Sequence, residues 1–200
     1  TRQGTVKKTS LSAFANIRKS GIIAISLAPD DELIAVRMTT GHEEILLVTR
    51  RGMSIRFHED EVRAMGRTAA GVRGINLDPG DDVVGMDIAR DNADVLIVTS
   101  AGYGKRTPVV EYRPQKRAGK GLKACRLTDK TGEIAGVKLV RQENEMMLTT
   151  MAGYVIRFQI SDVPKMGRLT QGVKVMSLEE EDEVISIARV SSRDEDDLDD

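Results

Sequence analysis

The residues with the clearest chemical potential are basic and recur at fixed places. Lys8, Arg56, Arg106 and Arg157 each stand four residues after a glycine (Gly4, Gly52, Gly102, Gly153). Arg67, Arg117 and Arg168 stand four residues before a second glycine (Gly71, Gly121, Gly172), and Arg73, Lys123 and Lys174 two residues after it. The first copy of this second register, around Gly21, has Ile23 at the latter place and Arg18 and Lys19 near the former. A single cation on a strand is usually a solvated face. The same charge at the same place in successive copies makes a stripe, and a stripe of cations matches a phosphate backbone.

The densest basic segment is Arg113 to Lys123, with Lys116, Arg117 and Lys120 inside it and Arg126 just beyond. Its glycines would let a phosphate approach main-chain N–H groups. It is not a P-loop: Pro114 stands where the upstream glycine belongs, and no Ser or Thr follows Lys120. Lys7 and Lys105, each beside a register cation, complete the candidate DNA-binding set. Three Phe and three Tyr are too few for a base-stacking platform, and Phe57 and Phe158 read as core. The balance favours duplex backbone contacts, which hold affinity and carry little sequence information.

Enzymatic readings are weaker. His42 and His58 are the only histidines, both in polar turns, and a solvated turn outweighs metal ligation by His58 with Glu59, Asp60 or Glu61. No Ser/His/Asp set is present, and the single cysteine, Cys125, reads as a small buried hydrophobe. The acidic pairs Asp30-Asp31 and Asp81-Asp82 recur in turns, which favours a structural role. No catalytic residue and no metal site is expected.

The elements that must position the cations follow from the period. The first glycines are spaced by 48, 50 and 51 residues and the second by 50, 50 and 51; Glu32, Asp82, Glu133 and Glu183 form a third register. Three registers at one period predict a repeat architecture. Each unit reads as four short strands, such as Thr5–Lys8, Ile22–Leu27, Leu33–Met38 and Ile45–Thr49 in the first copy, with later equivalents of the last at Val95–Thr99 and Met146–Thr150. The alternation Ile23-Ala24-Ile25-Ser26-Leu27 favours half-buried strands. Leu11–Ile17 and Asp60–Met65 are expected as short helical turns. Four strands per fifty residues is the arithmetic of a propeller blade. The expectation is an all-β domain over 1–190, with blade-like repeats near 1–50, 51–100, 101–150 and 151–190.

The formal net charge of −1 conceals an asymmetry. Residues 194–200 carry six acids, and without them 30 basic residues face 25 acidic ones, about +5. Residues 191–200 are expected to be a disordered acidic tail, either competing with phosphate for the basic face or serving solubility. One cysteine precludes an internal disulfide and fits a reducing cytoplasm. No run is long and apolar enough to cross a membrane.

The segments GTVKKT (4–9), AMGRTAAGVRGINL (64–77), GYGKRTPVVEY (102–112) and MGRLTQGVKVM (166–176) resemble the C-terminal domain of the DNA gyrase A subunit, over about residues 3–190. The topoisomerase IV A subunit is the near paralogue. The resemblance implies a β-pinwheel, a propeller-like disc whose blades exchange strands, with duplex DNA wrapped on a basic outer rim for strand passage and ATP-dependent negative supercoiling. It implies as further partners the rest of the A subunit, together with the B subunit of an A2B2 enzyme, in the bacterial cytoplasm. It implies no cofactor in this chain, ATP and Mg belonging elsewhere. Gln115-Lys116-Arg117-Ala118-Gly119-Lys120-Gly121 resembles the family's QRRGGKG box, with Lys for its first Arg and Ala for its first Gly. The surrounding motifs are ordered like blades three to six, so residues 115–121 are expected to be the equivalent loop of a later blade. A genuine box on a four-blade domain is the alternative, and a protein-docking propeller is the alternative function.

Overall fold

The computed structural model describes residues 1–190, and the acidic tail expected over 191–200 lies outside them. The strands are β1 (Thr5–Val6), β2 (Glu44–Thr49), β3 (Met53–His58), β4 (Val72–Arg73), β5 (Val83–Ala89), β6 (Asp94–Thr99), β7 (Tyr103–Pro108), β8 (Leu122–Lys123), β9 (Ile134–Val140), β10 (Glu145–Thr150), β11 (Val155–Gln159), β12 (Val173–Lys174) and β13 (Val184–Val190). The described chain is all-β apart from single 3-10 turns at Leu11–Phe14, Glu59–Glu61, Val109–Glu111 and Ile160–Asp162.

Each hairpin forms at a first-register glycine. β2 and β3 pair antiparallel with Leu47 opposite Ile55, β6 and β7 with Ile97 opposite Lys105, and β10 and β11 with Leu148 opposite Ile156. The strand after each acidic turn then joins the first strand of the hairpin: β5 on β2, β9 on β6, β13 on β10. A bulge recurs at the same place in all three, between Val48 and Thr49, Val98 and Thr99, and Thr149 and Thr150.

In three of the sheets the next repeat supplies a further strand. β4 pairs with β1, β8 with β3, and β12 with β7. These exchanged strands are only two residues long, and a second-register glycine delivers each of them. Gly121 has φ +82°, and a Cβ there would lie 2.1 Å from the Ser54 carbonyl oxygen; at Gly172 it would lie 2.6 Å from the Gly104 carbonyl oxygen. Only a residue without a side chain lets the incoming strand approach its host.

The sheets are therefore unequal. Among the described residues, two have four strands, the last has three (β11-β10-β13), and the first has two (β1-β4). The expected strands Ile22–Leu27 and Leu33–Met38 do not form, although later equivalents do. Leu33–Met38 alternates like β5, but no counterpart of β2 stands beside it among the described residues. Leu33, Val36 and Met38 remain exposed. The expected helical turns are shorter and shifted, to Leu11–Phe14 and Glu59–Glu61.

The core is aliphatic and runs between neighbouring sheets. Leu46, Val95, Ile97, Ile134, Cys125 and Tyr112 share one cluster drawn from two sheets, and Leu96, Val98, Met146, Leu148 and Ile160 another. Phe57 is fully buried and Phe158 packs partly buried against the second cluster. Small residues on the third strand of each sheet let its neighbour close: Gly136 sits where a Cβ would be 2.7 Å from Ile187, and Gly85 where it would be 3.0 Å from Val137. Each fully buried Leu, Ile or Phe contributes about 1.5–3 kcal/mol, so these contacts fix the angle between sheets.

Candidate nucleic-acid interface

The recurring cations separate into two kinds. The first row ties each sheet to the next repeat. Arg56 is 8% exposed; it pairs with Glu44, and its Nη1 donates to the Val109 carbonyl at 3.2 Å. Arg106 is 7% exposed; its Nε donates to the Val163 carbonyl at 2.6 Å and its Nη1 lies 3.3 Å from Asp94. Lys8 Nζ donates to the Glu59 carbonyl at 3.0 Å and lies 3.3 Å from the Glu59 carboxylate. The receiving carbonyls lie in or just after the 3-10 turns of the following repeat. Arg157, the last of the row, pairs only with Glu145 among the described residues and stays exposed.

The expectation that Arg56 and Arg106 face solvent is thus corrected: each is buried between a hairpin carboxylate and the carbonyls of the next repeat. Lys105 is corrected likewise. It is wholly buried, and its Nζ donates to the Gly167 and Arg168 carbonyls at 2.9 and 2.5 Å. Burial pulls its pKa down to about 8, partly offset by Cys125 and Glu111. Lys7, at the same place two repeats earlier, donates to the Arg67 carbonyl at 2.6 Å and is half-buried. A signal for the first row lies in the sequence: a carboxylate stands twelve residues before each arginine, at Glu44, Asp94 and Glu145.

The second row sits on the exchanged strands. Arg73, Lys123 and Lys174 are exposed, and none makes an ion pair with another described residue. They occupy the same position on β4, β8 and β12. Between them lie the loop arginines. Arg67 Nη1 donates to the Ile23 carbonyl at 2.9 Å, Arg117 Nη1 to the Arg73 carbonyl and Arg168 Nη1 to the Lys123 carbonyl.

The loop 113–123 adds further charge. Arg113, Lys116 and Lys120 are exposed, and Lys120 Nζ lies 2.7 Å from Asp78. Ala118 adopts φ +65°, the left-handed conformation that glycine tolerates best. Arg18 and Lys19 are exposed in the first repeat. Arg63, also exposed, escaped the sequence reading although it stands one period before Arg113. The structure thus gathers Arg73, Lys123, Lys174, Arg113, Lys116 and Lys120 on exposed ground, leaves Arg67, Arg117 and Arg168 half-buried, and withdraws Arg56, Lys105 and Arg106.

The acidic turns hold main chain. Asp81 Oδ1 accepts from the N–H groups of Arg51 and Asp82 at 3.0 and 2.9 Å, and Asp182 Oδ1 accepts from those of Ala152 and Glu183, both at 2.9 Å. Arg50 Nε donates to Asp82 at 2.7 Å. His58 Nδ1 accepts from the Asp60 N–H at 3.2 Å and caps the turn at Glu59–Glu61. Among the described residues no three His, Cys, Asp or Glu side chains gather as a metal site would require.

The same repeats are found in known proteins. The family described as DNA gyrase C-terminal domain, beta-propeller, matches residues 1–40, 43–90, 93–141 and 144–191. The DNA gyrase A subunit of Halalkalibacterium halodurans is 57% identical over 195 residues, 98% of this chain and 23% of that protein. The DNA gyrase A subunit of Clostridium acetobutylicum is 46% identical over 200 residues, 100% of this chain and 24% of that protein. The chain thus spans about a quarter of the length of these relatives. Among solved structures, the C-terminal domain of DNA topoisomerase IV superposes with TM-score 0.89 at 31% identity, covering 94% of this chain and 59% of that one. A DNA gyrase A C-terminal domain superposes with TM-score 0.85 at 24% identity, covering 95% and 64%. With every repeat matched, this chain belongs to the DNA gyrase C-terminal domain family of β-propeller repeats.

Proposed function

We propose that this chain binds and bends duplex DNA along the exposed cations of its exchanged strands, as part of a gyrase A subunit. The observation that supports this most is the second row: Arg73, Lys123 and Lys174 recur on successive exchanged strands, exposed and without ion-pair partners among the described residues. Cations spaced by a rigid scaffold neutralise phosphates without reading bases. Bending a duplex of 20–30 base pairs by 40–90° costs on the order of 1–6 kcal/mol, which several such contacts together can offset.

On this reading the bent duplex is presented to the rest of the enzyme for strand passage, and so supports ATP-dependent negative supercoiling. The ATP and magnesium chemistry, the B subunit, and the remainder of the A subunit lie in other parts of an A2B2 assembly in the bacterial cytoplasm. A topoisomerase IV role is the second reading, favoured by the superposition on that enzyme's C-terminal domain. The high identity to gyrase A subunits favours gyrase.

The test is duplex affinity against salt. Contact with about six phosphates gives a log–log slope near −5. An affinity that barely changes between low and moderate salt would overturn the reading and leave a protein-docking role. Comparing the chain with and without residues 194–200 in the same titration tests the tail: tighter binding without it means competition with phosphate.

A further inference from the structure

We infer that Arg117 and Arg168 are positioning residues for the proposed DNA site, fixing the separation between successive exposed cations and hence the bend imposed on the duplex. The inference rests on the DNA-binding reading above and assigns these two arginines a role other than phosphate contact.

The same tie occurs in two successive repeats. Arg117 Nη1 donates to the Arg73 carbonyl, its Nε to the Glu61 carbonyl at 3.2 Å, and its main-chain N–H to the Glu61 carboxylate at 2.7 Å. Arg168 Nη1 donates to the Lys123 carbonyl, and its main-chain N–H to the Glu111 carboxylate at 3.2 Å. The residues that accept from Nη1, Arg73 and Lys123, are the ones whose side chains form the exposed row. Each exchange loop is thus bonded to the main chain that carries the preceding repeat's cation.

The tie acts beside a few main-chain bonds: just past β4, β8 and β12, the Gly74, Ala124 and Val175 N–H groups donate to the Gly4, Gly52 and Gly102 carbonyls at 2.7, 2.8 and 2.9 Å. β4, β8 and β12 are each held to their hosts by only two residue pairs. Those bonds fix each short strand on its host, whereas the arginine bonds to the Arg73 and Lys123 carbonyls tie it to the loop that carries the next cation. Arg67 shows the tie reduced. Its Nη1 reaches the Ile23 carbonyl at 2.9 Å, but the residue one period before Glu61 is Leu11, which is exposed and offers no carboxylate. In that repeat the accepting residue, Ile23, also carries no cation. The complete tie is found where there are two successive cations to space.

A guanidinium donates from several N–H groups in a rigid plane, whereas an ammonium is a point charge on a flexible stem. Exchange of Arg for Lys therefore keeps the charge and loses the tie. The counterion-release slope reports the number of phosphates neutralised, and the bend reports how those phosphates are arranged. The two readouts separate a positioning role from a direct contact.

The experiment uses this chain and a duplex of about 60 base pairs, long enough for a bend to shift its ends, labelled at both ends with a donor and an acceptor dye. Energy transfer at saturation and affinity across a salt series are measured for wild type, R117K/R168K, E111A and K123Q/K174Q, with thermal melting of each. We expect R117K/R168K to keep the wild-type salt slope and lose at least about half of the energy-transfer change. E111A, which alters no cation, should lose part of it at unchanged slope. K123Q/K174Q should lower the slope by about 1.8. Should R117K/R168K melt cooperatively but bend the duplex as wild type does, the inference fails; if that variant does not fold, wild-type bending by E111A has the same force. A slope lowered by about 2 in a further variant, R117Q/R168Q, which removes both charges, would make these arginines phosphate contacts. A wild-type chain that neither binds nor bends the duplex removes the DNA reading itself, and the inference with it.

Discussion

Arg106 Nη1 lies 3.3 Å from Asp94 Oδ2 across the β6–β7 hairpin, and each of the two side chains is 8% exposed. The same guanidinium reaches the Val163 carbonyl in the next repeat. A cation so placed holds sheets together. Replacing Arg106 by Leu leaves the Asp94 carboxylate buried, with Lys165 at 3.1 Å as its remaining partner. We expect a loss of about 3 kcal/mol, measured by urea unfolding. Duplex affinity per folded molecule should stay within about twofold, because no phosphate contact is removed.

Arg73 should behave in the opposite way. It is exposed on β4 and makes no ion pair with a described residue. R73Q should lower the salt slope by about 0.9 and leave stability within about 0.5 kcal/mol. Parallel titration and melting of R73Q and R106L check both halves. A reversed pattern would mean that the two rows have been assigned the wrong way round.

Lys105 predicts an alkaline signature. Burial lowers its pKa from 10.5 to about 8. Below pH 8 the amine is charged in both folded and unfolded states, and the folded state bears the cost of the buried charge. Between about pH 8 and 10.5 the folded state sheds its proton first, the unfolded state binds more protons, and stability rises with pH. Relative to Lys105→Met, wild type should gain on the order of 2–3 kcal/mol across that window. Denaturant unfolding of the pair at pH 7.5 and pH 10 reads the difference, and a flat difference would show that Lys105 does not titrate there.

Ala118 tests the backbone of the basic loop. A non-glycine residue in the left-handed region costs roughly 1–2 kcal/mol, and Ala118 sits there at φ +65°. Ala118→Gly removes that strain and also frees the unfolded chain, so a net gain of about 0.5–1 kcal/mol is expected. The melting temperature checks it, and a fall would mean that the loop holds another conformation in solution.

Much of this was legible in the sequence, and the reasons are local. Gly52, Gly102 and their equivalents announce hairpins because a left-handed turn there admits little else. The apolar pair Val83-Val84 just after an acidic turn announces the strand Val83–Ala89. Strand exchange is carried by no local signal: Leu122–Lys123 is a two-residue strand, and its host lies about seventy residues earlier, at Met53–Ser54. Leu33–Met38 shows that pattern alone is insufficient, since it alternates like β5 and lacks a neighbour to pair with. The two kinds of cation were also indistinguishable by type. Arg106 and Lys123 differ in what faces them, a hairpin carboxylate twelve residues back for one and solvent for the other.

The offset between repeats and sheets limits how such a chain can change. Because β8 completes the sheet of β2 and β3, and β12 that of β6 and β7, no stretch cut at a repeat boundary is self-sufficient. Duplication or loss of one whole period leaves every guest strand with a host. An insertion or deletion of half a period strands a guest and bares an edge, which invites aggregation. Evolution along this fold is therefore quantised in steps of about fifty residues. Local melting follows the same rule: a repeat that opens withdraws a strand from the sheet before it, so damage travels backward along the chain.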